Sequence, residues 1–284
     1  MKNGFVKLTI GYLSVLFLFS CANEQAGDNA SSGDSAMSGK TAERKVIEEA
    51  ITYAADDIVF HGYVAFDHNQ QGKRPAVLVV HEWWGLNDYI RGRVKQLADM
   101  GYVAMAVDMF GDGKNASNPQ EAQQLAGPFY QDPSLTRSRL QAALNRLKQY
   151  EQVDTSRIAA IGYCYGGYVV LNAARLGAPL AGVVSFHGNL SGAPANRELL
   201  KAKVLVCHGQ ADKFISEEEI TRFKKSMDSI NADYTFKSYP GALHAFTNPD
   251  ATETGKKFNI PIAYNAEADE ASWNDMKSFF EKIF

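Results

Sequence analysis

The stretch Ile158-Ala-Ala-Ile-Gly-Tyr-Cys-Tyr-Gly-Gly-Tyr-Val-Val-Leu171 decides how the chain is read. Its first four residues form an apolar run suited to a buried strand, and Tyr168 to Leu171 suit an apolar helix. Between them lies Gly162-x-Cys164-x-Gly166, followed by Gly167. This is the spacing of a nucleophile elbow, with a thiol where serine ordinarily stands. A side chain at the top of such an elbow sits in strained backbone, and small flanking residues relieve clashes with the adjoining strand and helix. The helix that follows points free N–H groups at the turn, which favours a thiolate or a developing oxyanion. A buried cysteine in a glycine-rich turn is the plainer alternative, and the rest of the chain decides between the two.

Composition sets the outer limits. The chain has 284 residues, 45% hydrophobic and 21% charged, which is ordinary for a globular protein with a sizeable core. Net charge is −3 and the basic residues form no long run, which argues against a nucleic-acid partner. Three cysteines, Cys21, Cys164 and Cys207, make no disulfide framework. A Cys164–Cys207 bridge stays open at this stage, and would silence the elbow.

The N-terminus reads as an export signal. Lys2 and Lys7 precede and border an apolar run from Leu8 to Phe19. That run is shorter than the about 20 residues needed to span a bilayer and suits a secretory signal. It ends in Leu18-Phe19-Ser20-Cys21, which resembles the lipobox of bacterial lipoproteins. The resemblance implies cleavage of residues 1–20, lipidation of Cys21 and a lipid-anchored protein of the bacterial cell envelope, facing the periplasm or on the cell surface. Residues 21–44 read as the lipidated cysteine and a flexible Asn-, Asp-, Gly-, Ser- and Ala-rich tether, with an r.m.s. reach of about 25 Å.

Residues 45–284 read as one domain. Ile47–Tyr53 and Ile58–Phe66 suit an opening antiparallel pair joined through the polar turn 67–74 to the buried strand Pro75–Val80. His81-Glu-Trp-Trp-Gly85 follows, then a helix capped by Asn87 or Asp88 and running to Met100. Strands are expected at 102–107, 158–161, 181–186, 203–208 and 233–239. Helices are expected at 120–126, 135–150, 217–230 and 269–283, besides the one that opens after the elbow. Buried runs alternating with helices predict a mostly parallel sheet with helices on both faces, whose ligands bind beyond the carboxyl ends of the strands.

Thiol catalysis needs a base, and the base needs an orienting acid. After Cys164 the chain offers Cys207-His-Gly-Gln-Ala-Asp212 behind one strand and Gly241-Ala-Leu-His244-Ala-Phe246 behind the last. Nucleophile, acid and histidine fall in the chain order of α/β-hydrolases, so an α/β-hydrolase fold is expected. Asp212 is placed on Nδ1 of His244, leaving Nε2 for the thiol. His81, His187 and His208 read as structural, Cys207 as an inert buried thiol, and no spacing argues for a metal site.

Gly162-Tyr-Cys-Tyr-Gly-Gly167, His81-Glu-Trp-Trp-Gly-Leu86, His208-Gly-Gln-Ala-Asp212 and Gly241-Ala-Leu-His-Ala-Phe246 together resemble the dienelactone hydrolase family from about residue 50 onward. The resemblance implies a carboxylic ester hydrolase that cleaves an ester or lactone through an acyl-cysteine, with no metal or organic cofactor. It implies that Glu82 meets the resting thiol and helps to activate it. The backbone N–H groups of Tyr165 and Trp83 are expected to form the oxyanion hole. Two departures stand out. In dienelactone-cleaving members an arginine lies four residues after the histidine, where this chain has Asn248, and a serine follows the histidine, where it has Ala245. No arginine occurs between Asp108 and Pro133, where the other substrate-binding arginine is sought. The carboxylate clamp is therefore expected to be lost, and a less charged ester to be the substrate of a monomeric enzyme. Trp83, Trp84, Tyr165 and Phe246 are expected to wall an apolar pocket, with Asn248 beside it. A thioesterase or acyltransferase on the same triad, a non-catalytic binding lipoprotein and a redox thiol protein are the competing readings.

Overall fold

The computed structural model describes residues 44–284. The signal peptide, Cys21 and all of the tether but its last residue lie outside the described residues. In chain order the elements are β1 (Val46–Ala55), β2 (Ile58–Asp67), β3 (Arg74–Val80), α1 (Asp88–Asp99), β4 (Val103–Val107), α2 (Pro119–Gln131), α3 (Ser134–Leu147), β5 (Val153–Tyr163), α4 (Tyr165–Arg175), β6 (Gly182–Phe186), β7 (Lys203–Gly209), α5 (Glu217–Ser229), β8 (Tyr234–Tyr239), α6 (Ala251–Phe258) and α7 (Ala266–Ile283). The strands form one sheet in the order β1-β2-β4-β3-β5-β6-β7-β8. The pairs β1–β2 and β2–β4 are antiparallel and the rest are parallel, as in an α/β-hydrolase.

β3 shows why the centre of the sheet needs helices on both sides. Ala76, Leu78 and Val80 join one core with Leu140 and Leu144 of α3, Val169 of α4 and Phe223 of α5. The alternate residues Val77 and Val79 join a second core with Ile90, Val94 and Leu97 of α1 and Met276 and Phe280 of α7. A strand apolar on both faces can only be buried between two helical layers. Asn87 is the residue that caps α1, its side chain accepting from the Ile90 N–H.

Register puts the strand ends side by side. Val80 of β3 pairs with Gly162 of β5, Tyr163 with Phe186 of β6, and Phe186 with Cys207 of β7. His81, Cys164 and His187 are therefore the next residues beyond adjacent strands, and His208 lies near the end of β7 beside them, at one edge of the sheet.

Besides β5, which opens at Val153 and not at Ile158, two elements differ from the sequence expectation. α2 runs past Gly127-Pro128 to Gln131, although that dipeptide reads as a break. Tertiary packing holds its last turn: Phe129 is buried, and the Tyr168 hydroxyl donates to its carbonyl at 3.0 Å. α6 was not expected at all. Only Ala251 and Gly255 of its eight residues are buried, so the segment carries no apolar periodicity to read. Among the described residues no helix is long and apolar enough to cross a membrane.

Candidate active site

The elbow is built from close backbone approaches. Cys164 has φ +52° and ψ −115°, a conformation that costs energy for a residue with a side chain. A Cβ on Gly162 would lie 2.0 Å from the Gly166 carbonyl oxygen, and one on Gly166 would lie 2.3 Å from that of Val80. Both positions therefore need glycine because backbone lies where a side chain would begin. The Cys164 N–H is held by the Phe186 carbonyl at 2.9 Å and by Nδ1 of His187 at 3.0 Å. Both remaining thiols of the described chain, Cys164 and Cys207, are free, which removes the bridge between them. Burial pushes the Cys207 thiol up to about 12.

The sequence-predicted residues meet at that elbow. His244 Nε2 stands 3.0 Å from Cys164 Sγ, and His244 Nδ1 stands 2.8 Å from Asp212 Oδ2. The second oxygen of Asp212 accepts from the Phe214 N–H at 2.8 Å, which fixes the carboxylate in the turn after β7. Burial works to lower the His244 pKa. The negative charges and hydrogen bonds of Cys164 and Asp212 outweigh it and hold the imidazole at about 10. The arrangement is that of a cysteine–imidazole pair with an orienting carboxylate.

Two residues of the pocket lining carry unpaired backbone donors. Among the described residues, neither the N–H of Tyr165, the first residue of α4, nor the N–H of Trp83 has a hydrogen-bond partner. The Trp83 loop is shaped by His81, whose Nδ1 donates to the Glu82 carbonyl at 2.5 Å and whose Nε2 accepts from the Met109 N–H at 3.3 Å. Burial lowers the His81 pKa to about 4, so the ring stays neutral in that structural role.

Glu82 lines the same pocket as Cys164. Its Oε2 accepts from Nδ2 of Asn248 at 2.6 Å, while the thiol's hydrogen bond goes to His244. Burial raises the Glu82 pKa to about 7. The bond from Asn248 and the charge of His244 pull the other way.

The pocket holds about 220 Å³. Glu82, Cys164, Tyr165 and His244 lie at its chemical end, and Trp83, Trp84, Tyr130, Phe214, Ile260 and Ile262 supply apolar wall. No lysine or arginine lines it. Two sequence expectations are corrected here. Phe246 does not wall the pocket: it is fully buried, packed against His187 and Tyr239. Asn248 does not line it either, because its side chain is turned onto Glu82. The sequence reading missed Tyr130, Asn189, Phe214, Ile215, Ile260 and Ile262. Phe214 carried a signal, since it lies two residues past Asp212 in a strand-end loop. Ile215 follows it in the same loop; the others come from the end of α2, from a loop beyond β6 and from the segment after α6, and have no local signature.

A sheet of this order, with a strained residue between β5 and α4 and its partners on the later strand-end loops, defines an α/β-hydrolase. Residues 60–284 match the family model of the dienelactone hydrolase family, and the chain belongs to that family and is a hydrolase of it. A dienelactone hydrolase-like promiscuous phosphotriesterase from metagenomic libraries has a crystal structure that is 33% identical. The two superpose with a TM-score of 0.79 over 84% of this chain and 99% of that one. A protein of Caenorhabditis elegans is 36% identical over 151 residues, covering 51% of this chain and 92% of its own. An Aquifex aeolicus protein provisionally named a carboxymethylenebutenolidase is 27% identical over 205 residues, 70% of this chain and 87% of its own.

Proposed function

We propose that the chain hydrolyses a carboxylic ester or lactone through an acyl-cysteine intermediate, with Cys164 as nucleophile, His244 as base and acid, and Asp212 as its orienting carboxylate. The observation that carries this reading is the unbroken line Sγ–Nε2–Nδ1–Oδ2, with contacts of 3.0 and 2.8 Å, opening on a pocket with two unpaired N–H groups. The Cys164 thiolate attacks the acyl carbon, and the carbonyl electron pair moves to oxygen, where the N–H groups of Tyr165 and Trp83 receive it. Collapse expels the alkoxide, which takes the proton from His244. Water then gives that imidazole a proton as it attacks the acyl-thioester. The second collapse expels the thiolate and leaves the acid.

The pocket lining supports an uncharged, apolar substrate group. Its walls are aromatic and aliphatic, its one carboxyl is Glu82, and it offers no guanidinium or ammonium to a substrate carboxylate. The test is turnover, under reducing conditions, of a neutral aryl acetate, a neutral lactone, a carboxylated dienelactone and an acyl thioester. Hydrolysis of the neutral esters, abolished in Cys164→Ala and His244→Ala, is the expected result. Turnover that survives in Cys164→Ala overturns the reading.

We also propose that the enzyme is exported and lipidated at Cys21, on the strength of Leu18-Phe19-Ser20-Cys21 and the polar segment after it. Mass spectrometry of the mature protein should find the chain beginning at an acylated Cys21. Cys21→Ser should release the protein from the membrane fraction.

A further inference from the structure

We propose that His187 and Thr247 form a strut that sets the distance between Cys164 and His244, making both positioning residues for the thiol chemistry. The inference rests on the reading of Cys164 and His244 as a reacting pair.

Sheet geometry gives the strut its importance. Cys164 follows β5, and His244 follows β8, with β6 and β7 between them. No ladder hydrogen bond joins the two strands, so the 3.0 Å contact between thiol and imidazole is made by loops alone. His187, the first residue beyond β6, stands in the gap. Its backbone is left-handed, at φ +41°, and its N–H is fixed by the Cys207 carbonyl at 2.8 Å. Left-handed backbone is uncommon for a residue with a side chain and persists where the surroundings over-determine it.

The ring then bonds in both directions. Nδ1 accepts from the Cys164 N–H at 3.0 Å, so that nitrogen carries no proton. The proton is on Nε2, which donates to Thr247 Oγ1 at 2.7 Å. Thr247 lies in the loop of His244, and its oxygen also meets the Tyr89 hydroxyl at 2.7 Å. The Thr247 carbonyl accepts from Arg93, which is paired with Asp269. The elbow is thus joined through one imidazole to the histidine loop and to α1 beneath it. The His187 ring also packs edge-on against His244, with centroids 5.3 Å apart. Both His187 and Thr247 are fully or almost fully buried, and neither lines the pocket. Their loss should therefore reach chemistry and leave substrate binding alone.

The experiment uses the whole enzyme with a neutral aryl ester and measures kcat, KM and the rate of Cys164 alkylation by iodoacetamide. Thr247→Val is nearly isosteric and removes only the hydroxyl. His187→Ala removes the strut. His187→Asn offers a carbonyl where Nδ1 stands, and should keep the bond to Cys164 while losing Thr247. Thr247→Val and His187→Ala are each expected to lower kcat about tenfold or more with KM within about twofold, with slower alkylation near neutral pH. The double variant should be no worse than His187→Ala, because the two act as one unit. His187→Asn should fall between wild type and His187→Ala. Unchanged kcat in folded Thr247→Val, or losses that multiply in the double variant, would overturn the strut. Failure of the catalytic reading is separate: ester turnover would then survive Cys164→Ala, while the alkylation rates would still report on the strut.

Discussion

Asn248 donates its Nδ2–H to Glu82 Oε2 across 2.6 Å, bringing that carboxylate a neutral amide and no positive charge. A neutral amide satisfies the hydrogen bond without neutralising the charge. Burial therefore wins, and Glu82 sits at about 7 in place of its ordinary 4.5. The consequence for stability has a definite sign. An acid whose folded pKa is raised costs nothing below the unfolded value of 4.5. The cost grows as pH rises from there to about 7, and is constant above that. Glu82→Gln keeps an acceptor for Asn248 and removes the charge. It should stabilise the fold by up to about 3 kcal/mol at pH 8, with the gain vanishing near pH 4. Urea unfolding of both proteins at the two pH values measures this, and equal stability at pH 8 would refute it.

His244 offers a spectroscopic check on its partnership with the thiol. Burial alone would drive its pKa below 6.5, and the charge on Cys164 is the largest influence opposing that. Cys164→Ala removes that charge and leaves Asp212 as the chief support. The imidazole should then titrate well below the wild-type value of about 10, as followed by its ring resonances in NMR. A titration unchanged by the substitution would mean that the 3.0 Å contact carries no charge coupling.

Substrate charge should be discriminated strongly. A carboxylate-bearing acyl group entering this pocket would meet the Glu82 carboxyl with no lysine or arginine lining the walls. Like-charge juxtaposition in a partly desolvated site is costly. A neutral aryl ester should exceed its isosteric carboxylated analogue by about tenfold or more in kcat/KM, with the gap narrowing as salt is added. Equal rates would mean that the cationic imidazole of His244, which lines the pocket, offsets Glu82 for the bound carboxylate.

The residues of the candidate triad were legible because each has a local signature. Cys164 lies between glycines at the end of an apolar run. Asp212 and His244 lie in short loops after two further strands, and chain order links the three. The pocket was less legible because its walls come from segments that meet only in the folded chain. Ile260 and Ile262 reach it through α6, a helix with no apolar stripe, and a bridge between Ile262 and His244. Tyr130 reaches it because α2 continues through Pro128. Phe246 misled for the opposite reason. It lies two residues from His244, but the intervening Ala245 has φ +58°, and Phe246 is buried in the core. His187 was read as structural; its two-sided bonding depends on Thr247, sixty residues later, and that separation hides it from any local pattern.

The elbow glycines give the sharpest contrast in stability. A Cβ at position 166 would collide with backbone: the Val80 oxygen at 2.3 Å and the His81 oxygen at 2.7 Å. Neither atom is the free end of a flexible side chain, so relief would require the end of β3 and the start of α4 to separate. That movement would also disturb the backbone of Tyr165, which opens α4 and lines the pocket. Gly92 is the internal control. It is exposed within α1, and a Cβ there meets nothing within 4 Å. Gly92→Ala should stabilise the fold by about 0.5–1 kcal/mol through helix propensity and a less flexible unfolded chain, with activity unchanged. Gly166→Ala should cost roughly 3 kcal/mol or more and abolish turnover. Urea unfolding and ester hydrolysis on the two variants measure both effects. A Gly166→Ala protein with native stability would show that the elbow can open without cost, and would remove the steric reason for glycine at that position.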